Sequence, residues 1–158
     1  MVMEKKKFMA ELERIRAGWT NTGVVRPDFA LEPQPGQESV WDYPRPPLLV
    51  PDAREVVVRF EGVEIARSSQ ALRLLETASP PTFYVPPEAL SPEVFSRATG
   101  TSFCEWKGAA SYWDVAVGST RSPQAAWCYS EPFGDFAGLA GYYSFYPSRV
   151  ECFVDEQR

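Results

Sequence analysis

Residues 27–51 carry seven prolines in 25 positions, and this density restricts the conformations open to the chain. Proline has no backbone N–H and fixes φ, so a continuous helix is excluded here and a strand is allowed only at a sheet edge. The segment also holds Val40, Trp41 and Tyr43, more apolar surface than a free linker needs. We therefore expect an ordered, extended arm in which residues 39–47 lie across the folded body or a neighbouring subunit.

A short helix is predicted before the arm. Phe8, Leu12 and Ile15 recur at the i, i+4 and i+7 spacing of one helical face, and Gly18 favours an end to the helix. Charged residues interrupt the first 16 positions, so no apolar run there resembles a signal peptide or a membrane span. These features predict a cytoplasmic protein with no membrane partner.

After Pro51 the pattern changes to that of short β-strands. Residues 56–60 and 63–66 are rich in β-branched side chains and flank Glu61-Gly62, as in a two-residue hairpin. Residues 71–77 fit either a strand or a helical turn. Further strands are predicted at 83–85, 112–117, 124–129, 142–146 and 150–154, with a turn at 118–122 and the last two strands paired as a second hairpin.

Short strands and frequent turn signals, with little helix after residue 18, predict a mainly β fold. We expect an antiparallel β sandwich or open barrel in residues 51–158. Residues 1–50 would supply the short N-terminal helix and the proline-rich arm. The arm is also the segment through which we expect a homo-oligomer to form.

The absence of histidine among the 158 residues excludes several classes of site within this chain. These are histidine-dependent triads, Cys-His pairs and histidine metal sites. Sixteen basic against 21 acidic side chains give a net charge of −5, which disfavours nucleic acid as a partner. Cys104, Cys128 and Cys152 form no C-x-x-C motif, so we expect free thiols, no tightly bound metal and no cofactor.

Three motifs resemble those of a known family. They are Cys-x-Trp-Lys-Gly-x-Ala-x-Tyr-Trp at 104–113, Ala-Ala-Trp-x-Tyr at 125–129 and Phe-Tyr-Pro-x-Arg-Val at 145–150. Over about residues 38–155 the chain resembles the bacterial and fungal domain-of-unknown-function family 427, sometimes labelled nucleotidyltransferase. The resemblance implies a compact β domain of undetermined activity and supplies no catalytic residues.

The nucleotidyltransferase label can be compared with the residues themselves. Two-metal phosphoryl transfer needs clustered carboxylates, and nucleotide sites commonly add a glycine-rich phosphate loop. The sequence has no Asp-x-Asp, no G-x-G-x-x-G and no P-loop motif. A two-metal site would therefore need carboxylates that are distant in sequence, such as Asp114 and Glu131, to come together in the fold.

A lysine among aromatic residues is the most unusual feature of the second half. Lys107 follows Trp106 and precedes a strand in which alternation separates Tyr112 from the core face. A hairpin would bring the next strand beside Tyr112, and a lysine at the rim of such a cleft suits a small anionic or aromatic ligand. The predicted ligand-binding residues are Trp106, Lys107, Tyr112, Trp127 and Tyr129.

Other interpretations of these residues remain open. The aromatic side chains would then be core alone, with Lys107 a surface charge at a turn. An enzyme would instead use Lys107 and Cys104 with a carboxylate, which is Glu105, Asp114 or Glu131; the catalytic residues are unknown. A purely structural interaction protein would show exposed apolar surface and no pocket. We favour a small-molecule-binding or interaction module.

Overall fold

The computed structural model describes residues 2–158, which divide into two compact units. The first unit comprises the chain up to Leu48 together with Leu75–Pro80. The second unit comprises Leu49–Leu74 and Pro81–Arg158. The short segment Leu75–Pro80 thus belongs with the N-terminal region, although it lies between two strands of the second unit.

The first unit begins with helix α1 (Val2–Ala17), which ends before Gly18 as predicted. Leu12 is buried, whereas Phe8 and Ile15 on the same apolar stripe remain about half exposed. A single turn of 3-10 helix follows in the arm at Val40–Asp42. None of the helices within residues 2–158 is both long and apolar enough to cross a lipid bilayer.

The arm is held by the buried side chain of Arg45. Its guanidinium donates hydrogen bonds to the backbone carbonyls of Asn21 at 3.2 Å and Thr77 at 3.0 Å. The same group pairs with the Glu76 carboxylate at 3.3 Å and lies 3.9 Å from the ring centroid of Trp19. Because the prolines cannot form a continuous backbone ladder, side-chain contacts fix this part of the first unit.

Ten strands lie within residues 2–158, and they form three antiparallel sheets. The strands are β1 (Leu48–Asp52), β2 (Val56–Phe60), β3 (Val63–Ser68), β4 (Ala71–Leu75), β5 (Thr82–Tyr84), β6 (Phe95–Cys104), β7 (Gly108–Val117), β8 (Thr120–Cys128), β9 (Tyr143–Phe145) and β10 (Glu151–Val154). The strand orders are β1-β4-β5, β10-β2-β3 and β6-β7-β8-β9. The predicted mainly β, antiparallel fold is confirmed, and its arrangement is sandwich-like.

Several local predictions agree with the structure. β2 and β3 form the expected hairpin, and both Glu61 and Gly62 adopt positive φ at the turn, at 49° and 74°. Residues 71–75 form a strand rather than a helical turn. The proline-containing β1 is an edge strand, as the missing N–H requires.

Two strand predictions are wrong. The turn between β7 and β8 is confined to Gly118-Ser119, so β8 begins earlier than the predicted turn at 118–122 allowed. The last two strands do not pair with each other: β9 pairs with β8, and β10 pairs with β2. The connection between β9 and β10 therefore crosses from one sheet to another. Phe145 and Val150 lie at its two ends and are buried in the same core.

The larger core lies between the β10-β2-β3 sheet and one face of the four-stranded sheet. Val58 and Ile65 from the small sheet meet Val115, Ala126 and Phe145 from the large sheet. Strand alternation places the odd-numbered residues of β7 on this face. The even-numbered residues therefore face the other way, as predicted for Tyr112.

A second core covers part of that opposite face. Leu74 and Tyr84 from β4 and β5 pack with Tyr129, and the 3-10 helix Gly134–Leu139 adds Phe136 and Leu139. β5 reaches the four-stranded sheet through a bridge between Val85 and Tyr143, with hydrogen bonds of 2.8 and 2.9 Å. The β1-β4-β5 sheet therefore continues the four-stranded sheet beside β9 and packs against its face. The candidate site lies on this side of the molecule.

Candidate ligand-binding site

Lys107 lies in the turn between β6 and β7. The turn returns to the sheet at Gly108, whose φ of +99° is a conformation that L side chains rarely adopt. The Lys107 carbonyl accepts a hydrogen bond from the backbone N–H of Phe133 at 3.1 Å, which fixes the turn to the following loop. Lys107 is only 6% exposed, so it is neither at a rim nor a surface charge.

The ammonium group of Lys107 faces an aromatic ring. Its Nζ lies 5.8 Å from the ring centroid of Tyr129, within the range of a cation–π contact. Within residues 2–158, Lys107 takes part in no ion pair. A buried charge is usually matched by a carboxylate, because removing it from water is costly. The part of the chain that the structure describes thus gives this ammonium an aromatic partner but no anion.

Aromatic side chains extend from Tyr129 along the sheet face. Tyr112 and Trp127 are direct cross-strand neighbours on β7 and β8. The Trp127 indole donates a hydrogen bond of 3.2 Å to the Tyr84 hydroxyl, and its ring lies 4.4 Å from that of Tyr146 between centroids. Tyr84 and Tyr129 are buried, whereas Tyr112, Trp127 and Tyr146 are half-buried. These five rings form what we call the aromatic face, which has a buried end at Tyr129 and a solvent-contacting end at Tyr112 and Tyr146.

A chain of hydroxyl groups connects the half-buried rings. The Tyr112 hydroxyl donates to Ser102 Oγ at 2.7 Å. Tyr146 also hydrogen-bonds to Tyr112, and this bond raises the pKa of Tyr146 in addition to the larger effect of burial. The hydroxyl groups of Tyr146, Tyr112 and Ser102 are thus neighbours on this face.

Burial also raises the pKa of Tyr129 well above its usual range. The nearby Tyr84 and Cys104 raise it further, since a second negative charge close to a phenolate is unfavourable. Tyr129 is therefore a neutral phenol at physiological pH. Its ring and hydroxyl provide the environment of Lys107 without a negative charge.

The residues proposed for an enzymatic site differ in their burial and in their hydrogen-bond partners. Cys104 is half-buried near Tyr129, while Glu131 is exposed. Asp114 is buried and accepts hydrogen bonds from the Arg121 guanidinium and from the backbone N–H of Gln124. Burial alone would raise the pKa of Asp114, but these two bonds lower it overall. The buried carboxylate is thus already occupied.

The structure brings the predicted residues to one side of the four-stranded sheet. Trp106 and Tyr129 belong to the second core, and Trp127 packs against that core. Sequence reasoning missed Tyr84 and Tyr146. Alternation places Tyr146 beyond Ser144 on the Trp127 face, but only if the pairing of β8 with β9 is known. Tyr84 lies in a predicted strand, but no local sequence pattern indicates which strands lie beside it.

A comparison with known protein families matches nearly the same residues as the resemblance found in the sequence. A family model described as a domain of unknown function (DUF427) matches residues 48–156, a span that includes every residue of the aromatic face. A search of curated proteins returned no match. In the part of the chain that the structure describes, no group of three or more cysteine, aspartate or glutamate side chains is arranged to hold a metal ion.

Proposed function

The chain belongs to the DUF427 family, and from this premise we propose that its β domain binds a small molecule with an anionic group. In this proposal the site consists of Lys107 and the rings of Trp106, Tyr112, Trp127 and Tyr129. The observation that carries it is Lys107 itself. The residue is 6% exposed and has no ion pair in residues 2–158, so the carboxylate or phosphate of a ligand would match its ammonium group chemically.

The aromatic residues supply the rest of a binding surface. Trp127 and Tyr112 offer partly exposed rings, which favour a planar or apolar ligand body over a hydrated one. The Tyr112 hydroxyl and its partner Ser102 add polar groups at the solvent end. A few polar groups among aromatic rings are typical of small-molecule sites.

Charge at this face favours an anion despite the net charge of −5 for the whole chain. Asp114 is neutralised by Arg121, and Arg149 lies 6.0 Å from the ring centroid of Tyr146. Cations thus occur at both ends of the aromatic face, with Lys107 beside Tyr129 and Arg149 beside Tyr146. The enzymatic alternative is not proposed, because Asp114 is engaged by its own neighbours.

The test uses benzoate as an anionic aromatic probe and benzyl alcohol as its neutral counterpart. Binding to the full chain is followed by ¹H–¹⁵N NMR of the tryptophan indole groups. We expect benzoate to shift the Trp127 signal and benzyl alcohol to bind more weakly. Lys107→Met should weaken benzoate binding about tenfold or more, as expected for a lost charge-assisted contact. Lys6→Met, on the exposed face of α1, is the matched control.

Thermal stability separates a binding role from a structural one. If Lys107 is retained for a ligand, Lys107→Met removes a costly buried charge and should leave the unfolding temperature unchanged or raise it. A lower unfolding temperature together with unchanged benzoate binding would instead assign Lys107 to the core. Equal benzoate affinity in wild type and Lys107→Met contradicts the proposal.

A further inference from the structure

Strand β6 is a long edge strand. It runs from Phe95 to Cys104 and pairs with β7 on one side. No other strand in residues 2–158 pairs with its second edge. Most of its residues are exposed, and Arg97 is its only charged side chain. Edge strands are usually protected by several charges or by a covering segment, because their free backbone groups pair readily with another chain.

The sequence of this edge reads almost the same in both directions. Residues 95–103 are Phe-Ser-Arg-Ala-Thr-Gly-Thr-Ser-Phe, with Thr99 at the centre. An antiparallel pair of identical strands related by a two-fold axis places residue i opposite residue j and j opposite i. With the axis at Thr99, phenylalanine faces phenylalanine and serine faces serine across the pair.

We propose that two copies of the chain associate through β6, antiparallel and centred on Thr99. The two four-stranded sheets then form one continuous sheet of eight strands. In this register Phe95 of each copy lies opposite Phe103 of the other. Arg97 lies opposite Thr101 of the second copy, so the two positive charges do not face each other.

The exposed side chain of Phe103 is consistent with this arrangement. Phe103 is 50% exposed, although it contacts Phe133 with ring centroids 5.9 Å apart. Phe95 and Phe103 pair with Val115 and Ala109 of β7, which places both rings on the same face of the sheet. Pairing in the proposed register therefore covers Phe103 with Phe95 of the second copy.

An irregularity in the pairing of β6 with β7 lies at the proposed axis. The register with β7 shifts between Arg97 and Thr101, and Gly100 adopts a φ of +91°. The side chain of Gln124 lies at this irregularity, since its Nε2 donates to the Thr99 carbonyl at 3.1 Å and would lie 3.6 Å from a Cβ at Gly100. In the proposed pair the carbonyl of Thr99 is therefore directed to its own chain, and the hydrogen bonds between the copies come from its neighbours in β6.

Sedimentation equilibrium of the full chain tests the association. We expect the mass to rise with concentration from 17.8 kDa toward twice that value. Phe103→Glu would place a carboxylate against Phe95 of the second copy and weaken the dimer about tenfold or more. Val63→Glu, at a 43% exposed position on β3, is the matched control and should not affect the dimer.

A cysteine at the axis tests the register. In the proposed pair, Thr99→Cys brings two thiols within disulfide reach, since opposed Cα atoms are about 4.5–5.5 Å apart. We expect Thr99→Cys to form a disulfide dimer that reductant reverses, while wild type and Ser119→Cys, in the β7–β8 turn, remain monomers on denaturing gels. A mass of 17.8 kDa at all concentrations, or cross-linking of Thr99→Cys no faster than Ser119→Cys, overturns the proposal.

Discussion

The carboxylate of Asp114 accepts a hydrogen bond of 2.6 Å from the backbone N–H of Gln124. The register between β7 and β8 shifts beside Asp114, and Gln124 adopts a positive φ of 48°. A regular ladder cannot satisfy the N–H of Gln124 at this irregularity, so the Asp114 side chain does so. The Arg121 guanidinium then balances the charge of the buried carboxylate.

We predict that Asp114→Asn lowers the free energy of unfolding by about 1–3 kcal/mol at neutral pH, because a charge-assisted bond in a buried position is lost. The pKa of Asp114 is lowered in the folded state. Its contribution is therefore present above the unfolded value of about 3.9 and is lost as pH falls through the folded value. Urea denaturation at neutral pH and at about pH 3 measures the change.

The difference between wild type and Asp114→Asn should accordingly shrink in acid. Asp135→Asn, at an exposed position, serves as the control and should stay within about 0.5 kcal/mol of wild type at both pH values. A difference for Asp114→Asn that is equally large at both pH values would show that the charge of the side chain is not what stabilises the fold.

Tyr112→Phe is predicted to lower the pKa of Tyr146 toward its ordinary value. Burial contributes most to the raised pKa and remains, but the hydrogen bond with Tyr112 is removed. Stability from this raised pKa is present below the unfolded value of about 10 and is lost as pH rises through the folded value. NMR of the tyrosine ring carbons follows the titration. Tyr142→Phe is the control, and an unchanged Tyr146 midpoint in Tyr112→Phe would exclude the hydroxyl chain.

Features set by neighbouring residues were accessible from the sequence. The β2–β3 hairpin depends on Glu61-Gly62, and the shared face of Tyr112 and Trp127 follows from strand alternation across one short turn. β6 was missed because an edge strand exposed along most of its length needs no apolar alternation, and its Ser, Thr and Gly residues resemble those of a loop.

Features set by contacts distant in sequence were not accessible. The depth of Lys107 depends on the loop at Phe133 and on the ring of Tyr129, both more than 20 residues away. The pairing of β10 with β2 joins strands at opposite ends of the β domain. No spacing of apolar residues within a single strand specifies which distant strand will lie beside it.

Leu139→Ala is predicted to lower the free energy of unfolding by about 2–5 kcal/mol, as for other buried leucines. Leu139 is 0% exposed and lies in the 3-10 helix Gly134–Leu139 beside Phe136. This glycine-rich segment is therefore part of the second core. Val63→Ala, at a 43% exposed position, should change stability by about 0.5 kcal/mol or less. Equal effects of the two variants in chemical denaturation would contradict the packing of this helix.

Gly62→Ala is predicted to lower the free energy of unfolding by about 1–2 kcal/mol, the cost of a left-handed conformation for an L side chain. Gly62 adopts a φ of +74°, and an added Cβ would meet nothing within 4 Å, so backbone strain is the only structural cause. Gly134→Ala has equally open space without positive φ and should be neutral or stabilising by up to about 1 kcal/mol.

Gly62→Asn distinguishes strain from the other effects of removing glycine. Asparagine tolerates the left-handed region better than alanine, so its loss of stability should be smaller, and the three variants can be ranked by urea denaturation. The expected order of stability is Gly134→Ala, then Gly62→Asn, then Gly62→Ala. If Gly62→Asn is as unstable as Gly62→Ala, the positive φ at Gly62 is not the cause.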